Sequence, residues 1–176
     1  MQRFAITADV HGNRWALEAV LEDIAQQGVD DIVNAGDHLF GPLDPGGSAD
    51  LLIRLELPTV AGNQDREMLD DVNLSLPHRD WLASMPARRE IADGILMFHG
   101  TPEQDDVYLL ETVHAAGVVS LATTAEITTR VANASHSVLL CGHTHIPRTV
   151  AVADKLIVNP AASGCRLTPM RHPCRM

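Results

Sequence analysis

The chain has 176 residues, 45% of them hydrophobic and 20% charged, which fits one α/β domain with its own buried core and excludes a disordered chain. Its formal net charge is −10. That argues against general nucleic-acid or anionic-membrane binding, which need a basic face, but not against a phosphate substrate whose charge is met by bound cations.

In chain order, apolar runs rich in β-branched residues alternate with helical periods. "RFAITAD" reads as a buried strand. "NRWALEAVLEDIAQQG" follows, with Ala16, Leu17, Val20, Leu21 and Ile24 at helical spacing, Asn13 as a candidate N-cap and Gly28 as a stop. "DIVNAGD" predicts a second strand, "GPLDPGG" a loop, "SADLLIRLE" a short helix and "PTVAGN" a third strand. Residues 77–85 read as helical, "GILMFHG" as a strand, and "TTAEITTRVANAS" as a helix weakened by its threonines. "SVLLCG" is a strand, and "RTVAVADKLIVN" a hairpin turning at Ala153-Asp154. The alternation predicts an α/β sandwich with a partly parallel sheet. Only Met-Gln-Arg precedes the first apolar run, no stretch has membrane-spanning length, and Cys141, Cys165 and Cys174 lack CxxC spacing. The expectation is a reduced cytoplasmic protein with no signal peptide.

Five of these runs end in metal-ligand residue types: Asp9-Val10-His11, Gly36-Asp37, Gly62-Asn63, His99-Gly100 and Gly142-His143-Thr144-His145. In open α/β sheets ligands bind beyond the carboxyl ends of the strands, so these loops can converge on one centre. Taken singly, each has an ordinary reading. Asp-x-His is a common turn, and His99 fits a satisfied core histidine. His143 and His145 are stronger candidates, because alternate residues of an extended segment face one side. Imidazoles and carboxylates in similar number, with no cysteine, suit Mn, Fe, Co, Ni or Zn and argue against a structural zinc site. Asn13 reads as an N-cap or as a residue orienting the loop. His38 reads as a solvent-facing turn residue, with support of a ligand as the alternative. His78, His114 and His136 read as structural, and Cys141 as a small buried hydrophobe.

The ordered set "ADVHGN", "NAGDHLFGP", "AGNQD", "FHGTP", "CGHTHIP" and "VNP" resembles the calcineurin-like metallophosphoesterases, and within them the small bacterial and archaeal phosphodiesterase branch. The resemblance runs from residue 3 to about residue 160. It implies a four-layer α/β/β/α sandwich holding two divalent metal ions, manganese first among the candidates. Carried over by position, Asp9, His11 and His145 would bind one metal, Asn63, His99 and His143 the other, and Asp37 would bridge them. Asn63 and His11 would take direct catalytic parts. The activity implied is hydrolysis of phosphodiesters, with phosphomonoesters as a second class, by a metal-bridging hydroxide attacking phosphorus in line. The substrate would be a small-molecule phosphoester, with neither nucleic acid nor membrane as a general partner. The alternative is a catalytically weak, protein-binding scaffold of the same fold, as a trafficking-complex subunit resembling this branch is regarded.

The chain departs from the family pattern in two places. Where larger family members carry Gly-Asn-His followed by an acid, this chain has Gln64, and an amide cannot give up a proton. The usual general acid, typically worth about 10²–10⁴-fold, is missing. Asp65, with no neighbouring His to orient, is expected only to cap the next helix. After "VNP" the family pattern continues roughly Gly-Ser-Val-Gly and then further strands, whereas this chain reads "AASGCRLTPMRHPCRM". Restoring one base near Pro160 brings back a family-like continuation. The expectation is a metallophosphoesterase domain over 1–160, a frameshifted tail over 161–176 with three arginines and no acid, and a second sheet left incomplete. The segments 41–48 and 101–118 are expected to shape the substrate pocket.

Overall fold

The computed structural model describes residues 3–29, 31–115 and 117–164. Cys165, Cys174 and the rest of the expected tail from residue 165 lie outside them. β1 (Phe4–Thr7) and β2 (Asp31–Asn34) pair in parallel, joined by α1 (Arg14–Gln27), since parallel neighbours need a crossover connection. The Asn13 side chain accepts the Ala16 N–H, and Gly28 closes the helix in the left-handed region.

The second sheet has the order β3-β4-β7-β9-β8, built from Arg88–Ala92, Ile95–Phe98, Val138–Leu140, Lys155–Asn159 and Arg148–Val152 respectively. Its three central strands run parallel, and its two outer ones are antiparallel to their neighbours. The central strands are apolar on both faces, as a sheet covered on both sides requires. Met97, Leu140 and Val158 meet Ala8, Val33 and Val60 of the first sheet's side. The alternate residues Leu96, Phe98, Leu139 and Ile157 pack against Ile127 and Val131, around α5 (Thr124–Arg130). Each fully buried side chain of this size contributes about 1.5–3 kcal/mol. On the far side lie α1, α2 (Pro45–Leu55) and α4 (Leu76–Ala83), which bury Leu17, Leu51, Leu52 and Leu82. The result is the four-layer α/β/β/α sandwich. Among the described residues, no strand pairs with the outer edge of β1, although Ser163 and Gly164 donate to the Ala8 and Asp9 carbonyls beside it. No helix among them is long and apolar enough to cross a membrane.

Several local expectations are corrected. "PTVAGN" forms only a single bridge, Asn34 to Thr59, because the chain turns at Gly62 into the short helix α3 (Asn63–Glu67). α2 begins inside the Gly/Pro-rich stretch, where Asp44 accepts the Gly47 N–H and Pro45 opens the helix. β3 and a small hairpin, β5 (Glu111–Val113) with β6 (Val119–Leu121), lack apolar alternation and were not legible as strands. α5 ends at Arg130, shorter than its sequence window.

Candidate metal centre

The loops beyond β1, β2, β4 and β7, with the start of α3, meet at one end of the sandwich. They form two groups with metal-ligand spacing: Asp9, His11 and His145, and Asp37, His99 and His143. Within each group the ligand atoms lie within 4.8 Å of one another. Asn63 lines the same cavity as His143. The structure thus brings six of the seven sequence-derived residues into these two groups, with Asp37 beside His99 and His143, and sets Asn63 next to them.

The backbone shows how tightly these side chains are aimed. Asp9, His11, Asp37, His143 and His145 all have φ between 50° and 71°, a region non-glycine residues seldom occupy and which surrounding contacts must hold. Gly62 shows the same crowding from another side: a Cβ there would sit 2.1 Å from Asp37 Oδ1. Asp9, Asp37 and His99 are almost fully buried.

Hydrogen bonds select the ring nitrogens that face inward. His11 Nδ1 donates to the Phe40 carbonyl at 2.9 Å and His99 Nδ1 to the Ala35 carbonyl at 2.7 Å. A carbonyl can only accept, so in the neutral rings each Nε2 carries a lone pair into the centre. His11 Nε2 and His145 Nε2 stand 3.0 Å apart. Asp9 accepts the His143 N–H and lies 3.4 Å from His145 Nε2. Asp37 Oδ2 lies 4.0 Å from His11 Nε2 and 3.3 Å from His99 Nε2, so one carboxylate oxygen reaches both groups. Its Oδ1 accepts the Gln64 N–H.

Crowded acceptors of this kind need a positive charge among them. Burial opposes the charged form of His99, yet Asp37 and Asp9 raise its pKa to about 10. Burial likewise opposes Asp37, but His99 holds its carboxyl below the usual range. His143 is pushed down by burial and by His99, which keeps it neutral and able to ligate. Asn63 Oδ1 is buried without a hydrogen-bond partner. An orphaned amide oxygen, inward-facing imidazole lone pairs and a shared carboxylate are a donor set that fits two divalent cations.

Two expectations about neighbouring residues are overturned. His38 does not face solvent; it is fully buried, 2.7 Å from Asp65 and 2.7 Å from the Thr59 hydroxyl. Asp65 does more than cap α3, because it also binds the backbone beside Asp37. The available signal was position: a His directly after one ligand and an Asp two residues after another. Asn13 is the N-cap, with Nδ2 donating to Gly164. His78 and His136 sit near Asp50 and Glu90, and His114 near Ser120, none in either ligand group. Cys141 is buried, and burial pushes its thiol pKa up. Beside Asn63 and His143 opens a cavity of about 440 Å³ lined also by Asp106, Tyr108, Glu111 and Thr112, all from the 101–118 segment. Tyr108 meets His143 edge-on, with ring centroids 4.7 Å apart.

A buried pair of adjoining His/Asp clusters at the strand ends of an α/β/β/α sandwich defines a metal-binding class of protein. The sequence model of the calcineurin-like phosphoesterase superfamily domain matches residues 2–172, and the chain belongs to that family. No functionally curated protein matches its sequence. A metallophosphoesterase from Sphaerobacter thermophilus is similar in structure, with a TM-score of 0.74 and 24% identity, over 93% of this chain and 77% of that one. The phosphoesterase Yfce from E. coli has a TM-score of 0.57 and 22% identity, over 92% and 80% of the two chains. Vacuolar Protein Sorting 29 from Cryptosporidium parvum has a TM-score of 0.57 and 15% identity, over 92% and 74%. At these identities the likenesses speak to the fold.

Proposed function

We propose that the protein is a dinuclear metal-dependent phosphoesterase that prefers phosphodiesters. The observation that supports this reading is that the two groups adjoin, with Asp37 Oδ2 4.0 Å from His11 of one and 3.3 Å from His99 of the other. Asp9, His11 and His145 would hold one cation and Asn63, His99 and His143 the second, with Asp37 shared and manganese the expected ion. When bound, the two cations supply an activated water at neutral pH and offset the charge of the phosphoryl oxygens. The chain's own part is positioning: buried carboxylates and tautomer-fixed imidazoles hold each donor in one orientation. The Asn63 amide, which lines the cavity, would stabilise the charge of the phosphoryl oxygens. The cavity along Tyr108 receives the organic part of the substrate.

Gln64 supplies no proton to the departing oxygen. The reading therefore includes a restriction to substrates with good leaving groups, aryl before alkyl. The test is metal analysis combined with turnover of an aryl phosphodiester, an aryl phosphomonoester and an alkyl series. Two metal ions per chain, faster aryl than alkyl turnover, and loss of turnover in Asp37→Asn are expected. Equal rates on alkyl and aryl esters would refute the leaving-group restriction. The missing acid also favours a second reading, a protein-binding scaffold of the same fold. Two bound metals with no turnover on any of these esters would decide for it.

A further inference from the structure

The pair formed by His38 and Asp65 lies behind the ligands. Both side chains are essentially inaccessible to solvent. The Asp65 carboxylate accepts from the Asp37 N–H at 2.9 Å, the Gly62 N–H at 2.9 Å, the His38 N–H at 2.8 Å and His38 Nδ1 at 2.7 Å. On its other side, His38 Nε2 is 2.7 Å from Thr59 Oγ1, which is 3.2 Å from the Asn34 carbonyl. The imidazole stands edge-on to Trp81, with ring centroids 5.3 Å apart.

The network ties three pieces of chain that share no regular secondary structure. They are the loop after β2 that carries Asp37, the turn at Gly62 that precedes Asn63, and the Thr59 segment beside Asn34. Asp37 has φ 56°, a conformation it keeps only while its surroundings hold it. Asp65 binds the N–H of that same residue. A buried carboxylate–imidazole pair adds little net stability, because desolvation offsets the attraction. What the pair does supply is a fixed distance between the two loops. Gln64 leaves Asp65 no neighbouring imidazole, and its oxygens are instead committed to His38 and the backbone.

We propose that His38, Asp65 and Thr59 form a positioning clamp that sets Asp37 and Asn63 at the spacing required for the second metal ion. It rests on the two-metal reading above. The first group, Asp9, His11 and His145, takes no hydrogen bond from the clamp side chains and meets them only through the shared Asp37, whereas the second ion depends on both Asp37 and Asn63, so the clamp bears more heavily on the second ion. His38→Phe keeps a ring against Trp81 and removes both polar contacts. His38→Asn keeps a donor for Asp65.

The experiment is Mn²⁺ titration of the full chain by calorimetry, with electron paramagnetic resonance to detect the spin-coupled ion pair and a thermal melt of each variant. In His38→Phe the second ion is expected to bind about 10–100-fold more weakly. The coupled signal is expected to give way to that of an isolated ion, with the first ion weakened much less than the second. His38→Asn is expected to recover the coupled signal. Should His38→Phe fail to fold, Thr59→Val removes the Nε2 partner together with the hydroxyl's contact to the Asn34 carbonyl, and is expected to show the same larger loss at the second ion to a smaller extent. Wild-type affinity for both ions in a folded His38→Phe or Thr59→Val protein overturns the clamp. So does equal weakening of both ions, the mark of a merely structural role. A wild-type protein that takes up fewer than two ions overturns the two-metal reading itself, and this shows before any variant is made.

Discussion

Replacing Gly62 with alanine tests the centre through one added methyl group. The backbone there has φ −94° and ψ 174°, which alanine adopts freely, so the effect is steric alone. The new Cβ would lie 2.1 Å from Asp37 Oδ1, 2.6 Å from its backbone N and 2.8 Å from its Cγ. Reaching an ordinary contact of about 3.5 Å requires the carboxylate oxygen to retreat by roughly 1.4 Å. The Asp37 backbone cannot follow easily, because its N–H is bonded to Asp65. Overpacking of this kind costs about 1–3 kcal/mol, or about 2–12 °C in Tm for a chain of this size. Displacing a reacting constellation by about 1 Å costs on the order of 10²-fold in rate. The assay is Mn²⁺ stoichiometry and aryl phosphodiester turnover, read beside the melting curve. Gly46→Ala is the control, since its nearest neighbour would be His78 Cε1 at 3.9 Å, and it is expected to leave metal uptake unchanged. A Gly62→Ala protein that binds two ions with wild-type affinity and retains its turnover would refute the placement of Asp37 as the shared ligand.

The remaining expectations concern protons and the end of the domain. In the metal-free protein the folded pKa of His99, about 10, lies above its ordinary value of 6.5. Its contribution to stability is therefore fully present below pH 6.5 and lost as pH rises through about 10. Metal uptake near neutrality must displace that proton, so the binding enthalpy should vary with the ionisation enthalpy of the buffer by about one proton; no variation would show His99 to be neutral already. Ala161 holds φ 78°, where the family pattern has glycine and where an L side chain is strained by about 1–2 kcal/mol. Ala161→Gly is expected to raise stability by about 1 kcal/mol after the added freedom of the unfolded chain is counted, and a lower denaturant midpoint would contradict it. That strain supports the proposal that the reading frame changes near Pro160. DNA sequence across that codon decides it, and an intact frame with no extra base would end it.

The sequence by itself determined much of this protein. Apolar runs rich in β-branched residues specified β1, β2, β4 and β7, because strands covered on both faces have little room for polar residues, and the turn at Ala153-Asp154 marked the β8–β9 hairpin. Asn13 and Gly28 bounded α1 through chemistry that acts within a single turn. The candidate ligand types were legible as well, since each closes an apolar run; all but Asn63, which opens α3, emerge beyond a strand end. What only the tertiary structure decided was everything that depends on distance between loops. The approach of Asp37 and Asp9 oxygens to both His11 and His99 follows from strand ends meeting across the sheets, and no local pattern encodes that approach. His38 looked like a turn residue because its partners lie 21 and 27 positions away. Asp65 looked like a cap because only one of its four hydrogen bonds is local enough to be read along the chain. Burial, a property of the assembled sandwich, turned those two ordinary polar residues into the support of the site.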